Sequence, residues 1–487
     1  MTGPETPAPD DRPRMTGTAR PLGSLIADAG LDKVDLRGSP DVLVDSVQYD
    51  SRHVDAGALF CCLRGATSDG HAYAAAACAA GASALLVDHA VDLDVPQVIV
   101  PDTRAAMGPL VAALFDHPSR SLMVIGVTGT NGKTTTTSLI AAILEAAGVP
   151  TGVIGTLTGV HTTPEAPDLQ AQLSRFLADG KRAVVMEVSS HALALGRVNG
   201  TRFALAVFTN LGRDHLDVHG TAERYFAAKA ALFEPALSSR GLANIDDLHG
   251  RLLMDAAGIP RTGFSLGDLS DLVVTPTEHQ YFWHGEHVSV RIGGAFNAMN
   301  SLAAATAARL VGVSSSVVAA GLRAAEPVPG RFEPVLAGQP FDVIVDYAHT
   351  PDGLREALGA ARAASGSGRL IAVFGCGGDR DREKRPQMGA VAAELADHIV
   401  VTSDNPRSED PSEIINAVMQ GVPAEYRDRV VTEPDRRRAF AAAFKAAAPG
   451  DVVVIAGKGH ETTQTTGSTV VSFDDRAVAR ELLVALR

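Results

Sequence analysis

Only four cysteines occur in 487 residues, Cys61, Cys62, Cys78 and Cys376, and no two form a Cys-x-x-Cys pair. That spacing excludes a zinc ribbon and a disulfide framework, and the low count fits a reducing compartment. No apolar run reaches ~18 residues, so no membrane-spanning helix is expected. Lysine is scarce too, seven against 36 arginines. Where charge alone matters, this chain uses arginine. A lysine kept inside a Gly-rich or His/Asp-rich motif is therefore one whose particular chemistry is needed, and Lys133, Lys229 and Lys458 meet that description. Positive charge is also short overall. The net charge of −13 repels phosphate backbones and excludes a general nucleic-acid binder, so a site for an anionic substrate must concentrate cations locally.

A hydrophobic content of 46% with 20% charged residues is the profile of a soluble globular protein, and the length fits roughly three domains. Residues 1–20 are rich in Pro, Thr and Asp and lack the apolar core of a signal peptide. They read as a disordered lead, with Met15 an alternative start, and the expected location is the cytoplasm. Residues 21–118 mix short strands and helices, for example Ala58–Leu63 and Ala84–Val87, and a boundary falls at Pro118–Ser121. From 119 to 330 the pattern becomes strand, loop and helix, with apolar strands Leu122–Val127, Ala183–Val188 and Ala204–Thr209. Continuous apolar runs suit a mostly parallel sheet covered on both faces. Residues 270–292 alternate and predict an antiparallel excursion. After a break near Pro327–Pro334, residues 331–487 alternate again: strands Val343–Asp346, Leu370–Gly375, His398–Thr402 and Val452–Ala456, with helices such as Pro351–Ala364 and Pro411–Met419. This predicts a doubly wound, Rossmann-like domain and an α/β protein throughout.

Leu122–Val127 runs into Thr128-Gly129-Thr130-Asn131-Gly132-Lys133-Thr134-Thr135 and then a helix. A strand, a Gly-rich turn and a helix N-terminus together make a phosphate site, because backbone N–H groups and the helix dipole face the anion. Lys133 reaches the β/γ-phosphates and the Thr134 hydroxyl faces Mg²⁺. The strict P-loop pattern fails at its first glycine, where Val127 stands; Gly129 supplies the turn. Three further segments carry clustered polar groups among apolar residues, Met186-Glu187-Val188-Ser189-Ser190-His191, Thr209-Asn210-Leu211-Gly212-Arg213-Asp214-His215-Leu216-Asp217 and Tyr225-Phe226-Ala227-Ala228-Lys229. A carboxylate at the end of a buried strand is costly unless paired or on a metal, so Glu187 joins Thr134 as a Mg²⁺ ligand candidate.

The variant loop T-G-T-N-G-K-T resembles that of Mur ligases and folylpolyglutamate synthetases, and other motifs from about residue 45 to the end resemble the Mur ligases specifically. Asp50-Ser51-Arg52 and Asp69-Gly70-His71 resemble a uridine-nucleotide-binding first domain. Thr162, Thr163, Ser189 and Arg197 resemble contacts to a UDP-muramoyl-peptide, although His161 and Leu195 stand where some relatives have Asn and Gln. Asn297 and Asn300 resemble an adenine-side pair, and Arg331 and Asp346 resemble ATP contacts of the third domain and its hinge. Gly375–Arg380, Asp404-Asn405-Pro406-Arg407 and Gly457–Glu461 complete the set.

The resemblance implies an ATP-dependent ligase that activates a carboxylate as an acyl phosphate and adds diaminopimelate to UDP-N-acetylmuramoyl-L-alanyl-D-glutamate for peptidoglycan. It implies a monomer with two Mg²⁺ ions. Thr134, Glu187, His215 and Lys229 would serve the metals, with Lys229 carbamylated by CO₂, and Lys133, Glu187, His215 and Lys229 would form the catalytic set. Ser51 and Lys229 would contact the UDP-substrate with the residues above, and Arg380, Asp404, Asn405, Pro406, Arg407, Gly457 and Glu461 would hold diaminopimelate. Two other readings compete. A folylpolyglutamate synthetase shares the loop but is not expected to carry Asp-Asn-Pro-Arg. A non-catalytic ATP-binding switch would tolerate loss of Glu187, His215 or Lys229, and all three are present.

Overall fold

The computed structural model describes residues 16–65, 68–212, 214, 216–256 and 258–486. Met15 and His215 lie outside them, as does the expected lead up to residue 15. The chain divides into two compact units. The first runs to Val124 and adds Thr163–Val184 and Ser190–Phe203; the second comprises Ile125–Thr162, Val185–Ser189 and Ala204 onward.

In the first unit a five-stranded sheet has the order Asp35–Arg37, Gln97–Ile99, Ala84–Val87, Ala58–Cys61, Ser46–Gln48, parallel except for the antiparallel first strand. Both faces are covered. Leu59, Cys61 and Leu86 pack on Leu110, Val111 and Leu114 of the helix Thr103–Leu114, whereas Phe60, Leu85 and Val87 pack on Ala74 and Ala77 of the helix Ala74–Ala79. This two-sided burial is why the strands read as unbroken apolar runs.

A six-stranded sheet has the order Arg261–Phe264, Gly241–Asn244, Leu205–Phe208, Met123–Thr128, Ala183–Glu187, Thr151–Ile154. Leu205–Phe208 pairs parallel with both Met123–Thr128 and Gly241–Asn244. Residues 270–290 form the expected antiparallel excursion, a three-stranded sheet that buries Tyr281, Trp283, Val288 and Val290 on one face. His279 lies fully buried beside them, its ring bonded to the Ile292 carbonyl at 2.6 Å and to Ser301 Oγ at 2.8 Å. Burial pushes its pKa from 6.5 down to about 4. The unfolded chain takes up that proton at the higher pH, so His279 costs nothing above about 6.5 and destabilises the fold progressively toward pH 4, by on the order of 3 kcal/mol. Melting temperature measured from pH 7.5 to 4.5 should therefore fall more steeply in the native protein than in His279→Gln; equal slopes would remove His279 from the acid response.

The C-terminal sheet has the order Glu333–Pro334, Asp342–Asp346, Val452–Ala456, Leu370–Phe374, His398–Val401, Val430–Thr432, and only the first strand is antiparallel. Alternate residues serve opposite faces. Leu370, Ala372 and Phe374 meet the helices Pro351–Ala364, Lys384–Leu395 and Pro411–Met419. Ile371 and Val373 meet Arg436–Ala446 and Asp475–Ala485. The helix Pro351–Ala364 starts where the sequence predicts it: Pro351 fits its first turn, and the Thr350 hydroxyl accepts from Gly353 N at 3.1 Å. Parallel strands put the loops after Asp346, Phe374, Val401 and Ala456 along one sheet edge, where such folds hold ligands. Among the described residues, no helix is long and apolar enough to cross a membrane.

Candidate active site

The strand Met123–Thr128 delivers the chain to a turn that only glycine permits at two points. Gly129 has φ +149° and Gly132 φ +83°. A Cβ at Gly129 would fall 1.9 Å from Thr209 Oγ1, and one at Gly132 would fall 2.3 Å from Asn300 Oδ1. The loop is braced from the neighbouring strand's end. Thr130 N donates to the Asn210 carbonyl at 2.9 Å, Asn131 N donates to Asn210 Oδ1 at 2.9 Å, and the Thr209 hydroxyl donates to the Asn131 carbonyl at 2.6 Å. The helix Lys133–Ala146 follows directly, so its free N–H groups and positive dipole end face the same space.

Two lysines converge on one carbonyl of this loop. Lys133 Nζ donates to Gly129 O at 2.9 Å and to Thr130 O at 2.7 Å, and Lys229 Nζ donates to the same Gly129 O at 2.7 Å. Lys229 comes from the helix Ala222–Ala230, is 1% exposed, and lies 4.5 Å from the centre of the Tyr225 ring. Burial first, and then the Lys133 charge, hold its ammonium well below the ordinary lysine range. Burial also lowers Lys133, with Glu187 opposing. Glu187 ends the strand Ala183–Glu187 at 2% exposure. Its carboxylate accepts from Thr134 Oγ1 at 3.0 Å and from Thr156 N at 2.8 Å.

Lys133, Thr134, Thr156 and Glu187 line a cavity of about 310 Å³. From its other side come Arg331, Asp346 and the start of the helix Pro351–Ala364. Arg331 donates through Nη2 to Thr134 Oγ1 at 3.2 Å and stacks on Tyr347 at 4.5 Å, while its buried Nε has no hydrogen-bond partner. That orphaned donor beside Lys133 fits an anionic ligand. Asp346 accepts from Phe332 N at 2.7 Å and Ala348 N at 2.8 Å, and burial raises its pKa against Arg331. The backbone next to Arg331 is strained, because Phe332 has φ +48°. Asn300 lines the cavity; Asn297 lies fully buried behind it and accepts from Asn300 Nδ2 at 3.0 Å. Thr135 lines it as well.

A second cavity of about 820 Å³ adjoins the loops at the C-terminal sheet edge. It is lined by Arg380, Asp404, Asn405, Arg407, Gly457 and Glu461, every expected amino-acid contact except Pro406, which is buried beside it. Arg407 has φ +53° and is fixed by Nη1 donating to the Gly378 carbonyl at 2.7 Å. Glu461 accepts from Asn405 Nδ2 at 2.8 Å and from the fully buried Lys458 Nζ at 3.2 Å. Lys458 thus acts within the wall of this cavity.

The residues expected to contact a UDP-substrate divide between the units. Thr162, Ser189 and Lys229 belong to the second, where Thr162 Oγ1 lies 3.1 Å from Thr156 Oγ1. Ser51, Thr163 and Arg197 belong to the first. There Arg197 Nη1 donates to Thr163 O at 3.1 Å, its Nε pairs with Glu165 at 2.9 Å, and Asp50 caps the short helix Ser51–His53. Several lining residues escaped the sequence reading, among them Asp214, Thr156 and Glu356. Asp214 borders both cavities and sits in a segment already singled out, so position beside His215 was an available signal. Thr156 and Glu356 carried none. Glu356 reaches Asn131 Nδ2 at 2.8 Å across 225 positions of chain.

Three family models cover most of the chain: Mur ligase family, catalytic domain, over residues 43–116; Mur ligase middle domain over 127–308; and Mur ligase, glutamate ligase domain, over 330–459. Proteins of Gloeobacter violaceus and Streptomyces coelicolor named UDP-N-acetylmuramoyl-L-alanyl-D-glutamate--2,6-diaminopimelate ligase are similar throughout. The first is 45% identical, with 95% of this chain and 98% of that protein aligned; the second is 42% identical, with 99% of each aligned. A solved structure of a ligase of the same name superposes with TM-score 0.67 at 33% identity, covering 92% of this chain and 96% of that one. The chain belongs to the Mur ligase family.

Proposed function

We propose that the protein is an ATP-dependent ligase that joins 2,6-diaminopimelate to the D-glutamyl γ-carboxylate of UDP-N-acetylmuramoyl-L-alanyl-D-glutamate, making a peptidoglycan precursor as a cytoplasmic monomer. The observation that carries this reading is the pairing of the two cavities, one walled by the phosphate loop, Lys133 and Arg331, the other by Arg407 and Glu461, with Asp214 common to both. The names of the similar proteins supply the substrates.

The chemistry follows from the groups present. The γ-carboxylate oxygen attacks the γ-phosphorus of ATP, and the bond to ADP breaks. The substrate amine then attacks the acyl carbon, loses a proton, and expels phosphate as the amide forms. Lys133 and Arg331 face the charge that moves between these oxygens, in a site that restricts water. Thr134 and Glu187 present hard oxygen donors at the cavity wall, which fits Mg²⁺, an ion that takes few protein oxygens beside water and phosphate. Magnesium held there would supply positive charge to the phosphoryl group. Lys229 fits carbamylation because CO₂ reacts with a neutral amine, and its burial favours that form. The resulting anion would serve a second Mg²⁺ with His215.

Selectivity for diaminopimelate rests on Arg407. Diaminopimelate carries a carboxylate beside its distal amine and lysine does not. A fixed guanidinium takes that carboxylate in a forked pair and repels a lone ammonium. Glu461 would accept from the distal ammonium, and Arg380 would hold the carboxylate at the reacting end. Phosphate release should be at least ~10³-fold more efficient, in kcat/KM, with diaminopimelate than with lysine. Arg407→Ala should lose most of that efficiency through KM. A native enzyme that prefers lysine would overturn the substrate assignment.

A further inference from the structure

Behind the larger cavity lies a charge to which no role has yet been given. Arg436 opens the helix Arg436–Ala446, and its side chain is 0% exposed. Its guanidinium forks onto Asp475, also 0% exposed, with Nε to Oδ1 at 2.8 Å and Nη2 to Oδ2 at 2.6 Å. Burial opposes the charge, but Asp475, with Asp404 and Glu461, outweighs it, so the group stays a cation. The remaining donors go to main chain. Nη1 donates to the Ser403 carbonyl at 3.1 Å, and Nη2 also donates to the Ala456 carbonyl at 3.0 Å.

Those two carbonyls are not neighbours in the sheet. Ser403 follows the strand His398–Val401 and Ala456 ends the strand Val452–Ala456, with Leu370–Phe374 between them. Each immediately precedes a stretch of the cavity wall, Asp404-Asn405 in one case and Gly457 in the other. The intervening strand's loop is pressed against the same place, since a Cβ at Gly375 would fall 2.4 Å from the Thr402 carbonyl. A rigid planar fork can fix two loops at once in a way a flexible ammonium cannot. Stability alone does not call for a buried ion pair, because an apolar pair of similar volume is often as stable or more so.

We propose that Arg436 is a positioning residue for amino-acid selection: it ties the Asp404 loop to the Gly457 loop and thereby sets the distance between Asp404, Arg407 and Glu461. This rests on reading the larger cavity as the diaminopimelate site. Two variants of the full-length protein separate this role from a purely structural one. Arg436→Lys keeps the charge on Asp475 but loses the fork. The double variant Arg436→Met with Asp475→Leu removes both charges at similar volume. In each, KM for diaminopimelate should rise about 10- to 100-fold while KM for ATP stays within about twofold of native, since small misplacements of binding groups cost on that scale. The double variant should still melt cooperatively. A folded double variant with native KM for diaminopimelate would overturn the proposal, as would KM values for both substrates rising together, or failure of both variants to fold. Arg407→Ala in the same assay distinguishes the premise: if it too leaves KM for diaminopimelate unchanged, the cavity assignment is at fault and not the tie.

Discussion

Replacing Lys133 by alanine should lower ATP-dependent ligation by about 10³-fold or more while the protein still folds. The size follows from what the ammonium faces. It sits at the first turn of a helix whose dipole already favours anions, on the wall of a confined cavity, with Arg331 opposite. Charge stabilisation in such a site is set in advance, and one such donor is worth about 10²- to 10³-fold in rate, more where phosphoryl charge is neutralised. The fold does not depend on it to the same degree. Its partners are the carbonyls of Gly129 and Thr130, and bonds from a charged donor contribute about 1.5–3 kcal/mol net. The checking measurements are single-turnover phosphate transfer and thermal melting on the same preparation. Near-native turnover with native melting would remove the loop from catalysis.

Lys229→Ala should be as inactive, and for a different reason, which a rescue experiment exposes. The side chain is buried at a helix end, its nitrogen 2.7 Å from Gly129 O and within the field of Lys133. Two ammonium groups sharing one carbonyl repel each other, so the site favours loss of one positive charge. Conversion of Lys229 to a carbamate, as proposed, would replace that repulsion with attraction and leave an anion for a metal. A short carboxylic acid at high concentration should therefore restore part of the activity of Lys229→Ala, whereas Lys229→Arg should stay inactive because its charge has the wrong sign. An arginine variant as active as the native enzyme would sink the carbamate.

The helix Pro351–Ala364, the loop strand and the alternating C-terminal strands were legible because period and punctuation act locally: proline and threonine at a helix start, glycine at a forced φ, apolar runs where a strand is covered twice. Short exposed elements were not. The hairpin Thr463–Thr466 with Thr469–Ser472 and the edge strand Val430–Thr432 expose much of their surface. They carry little hydrophobic pattern, and pairing partners alone define them.

The residue types proposed for the candidate site could be read from the sequence. A Gly-Lys-Thr turn after an apolar strand, a carboxylate at a strand end and lysines kept in an arginine-rich chain each have a chemical meaning that needs no coordinates. What only the tertiary structure decided is which of them share a space and in what state. The meeting of Lys133 and Lys229 on Gly129 O joins residues about a hundred positions apart, and the depressed ammonium of Lys229 arises from burial by segments remote in sequence. Arg436 is the extreme case. In the sequence it is the first of three consecutive arginines, Arg436 to Arg438. Side-chain charge is a property of the residue, but its energy is a property of the dielectric and the partners around it. Folding alone buries one of the three against Asp475 and leaves the other two on the helix surface, Arg437 half-buried and Arg438 exposed.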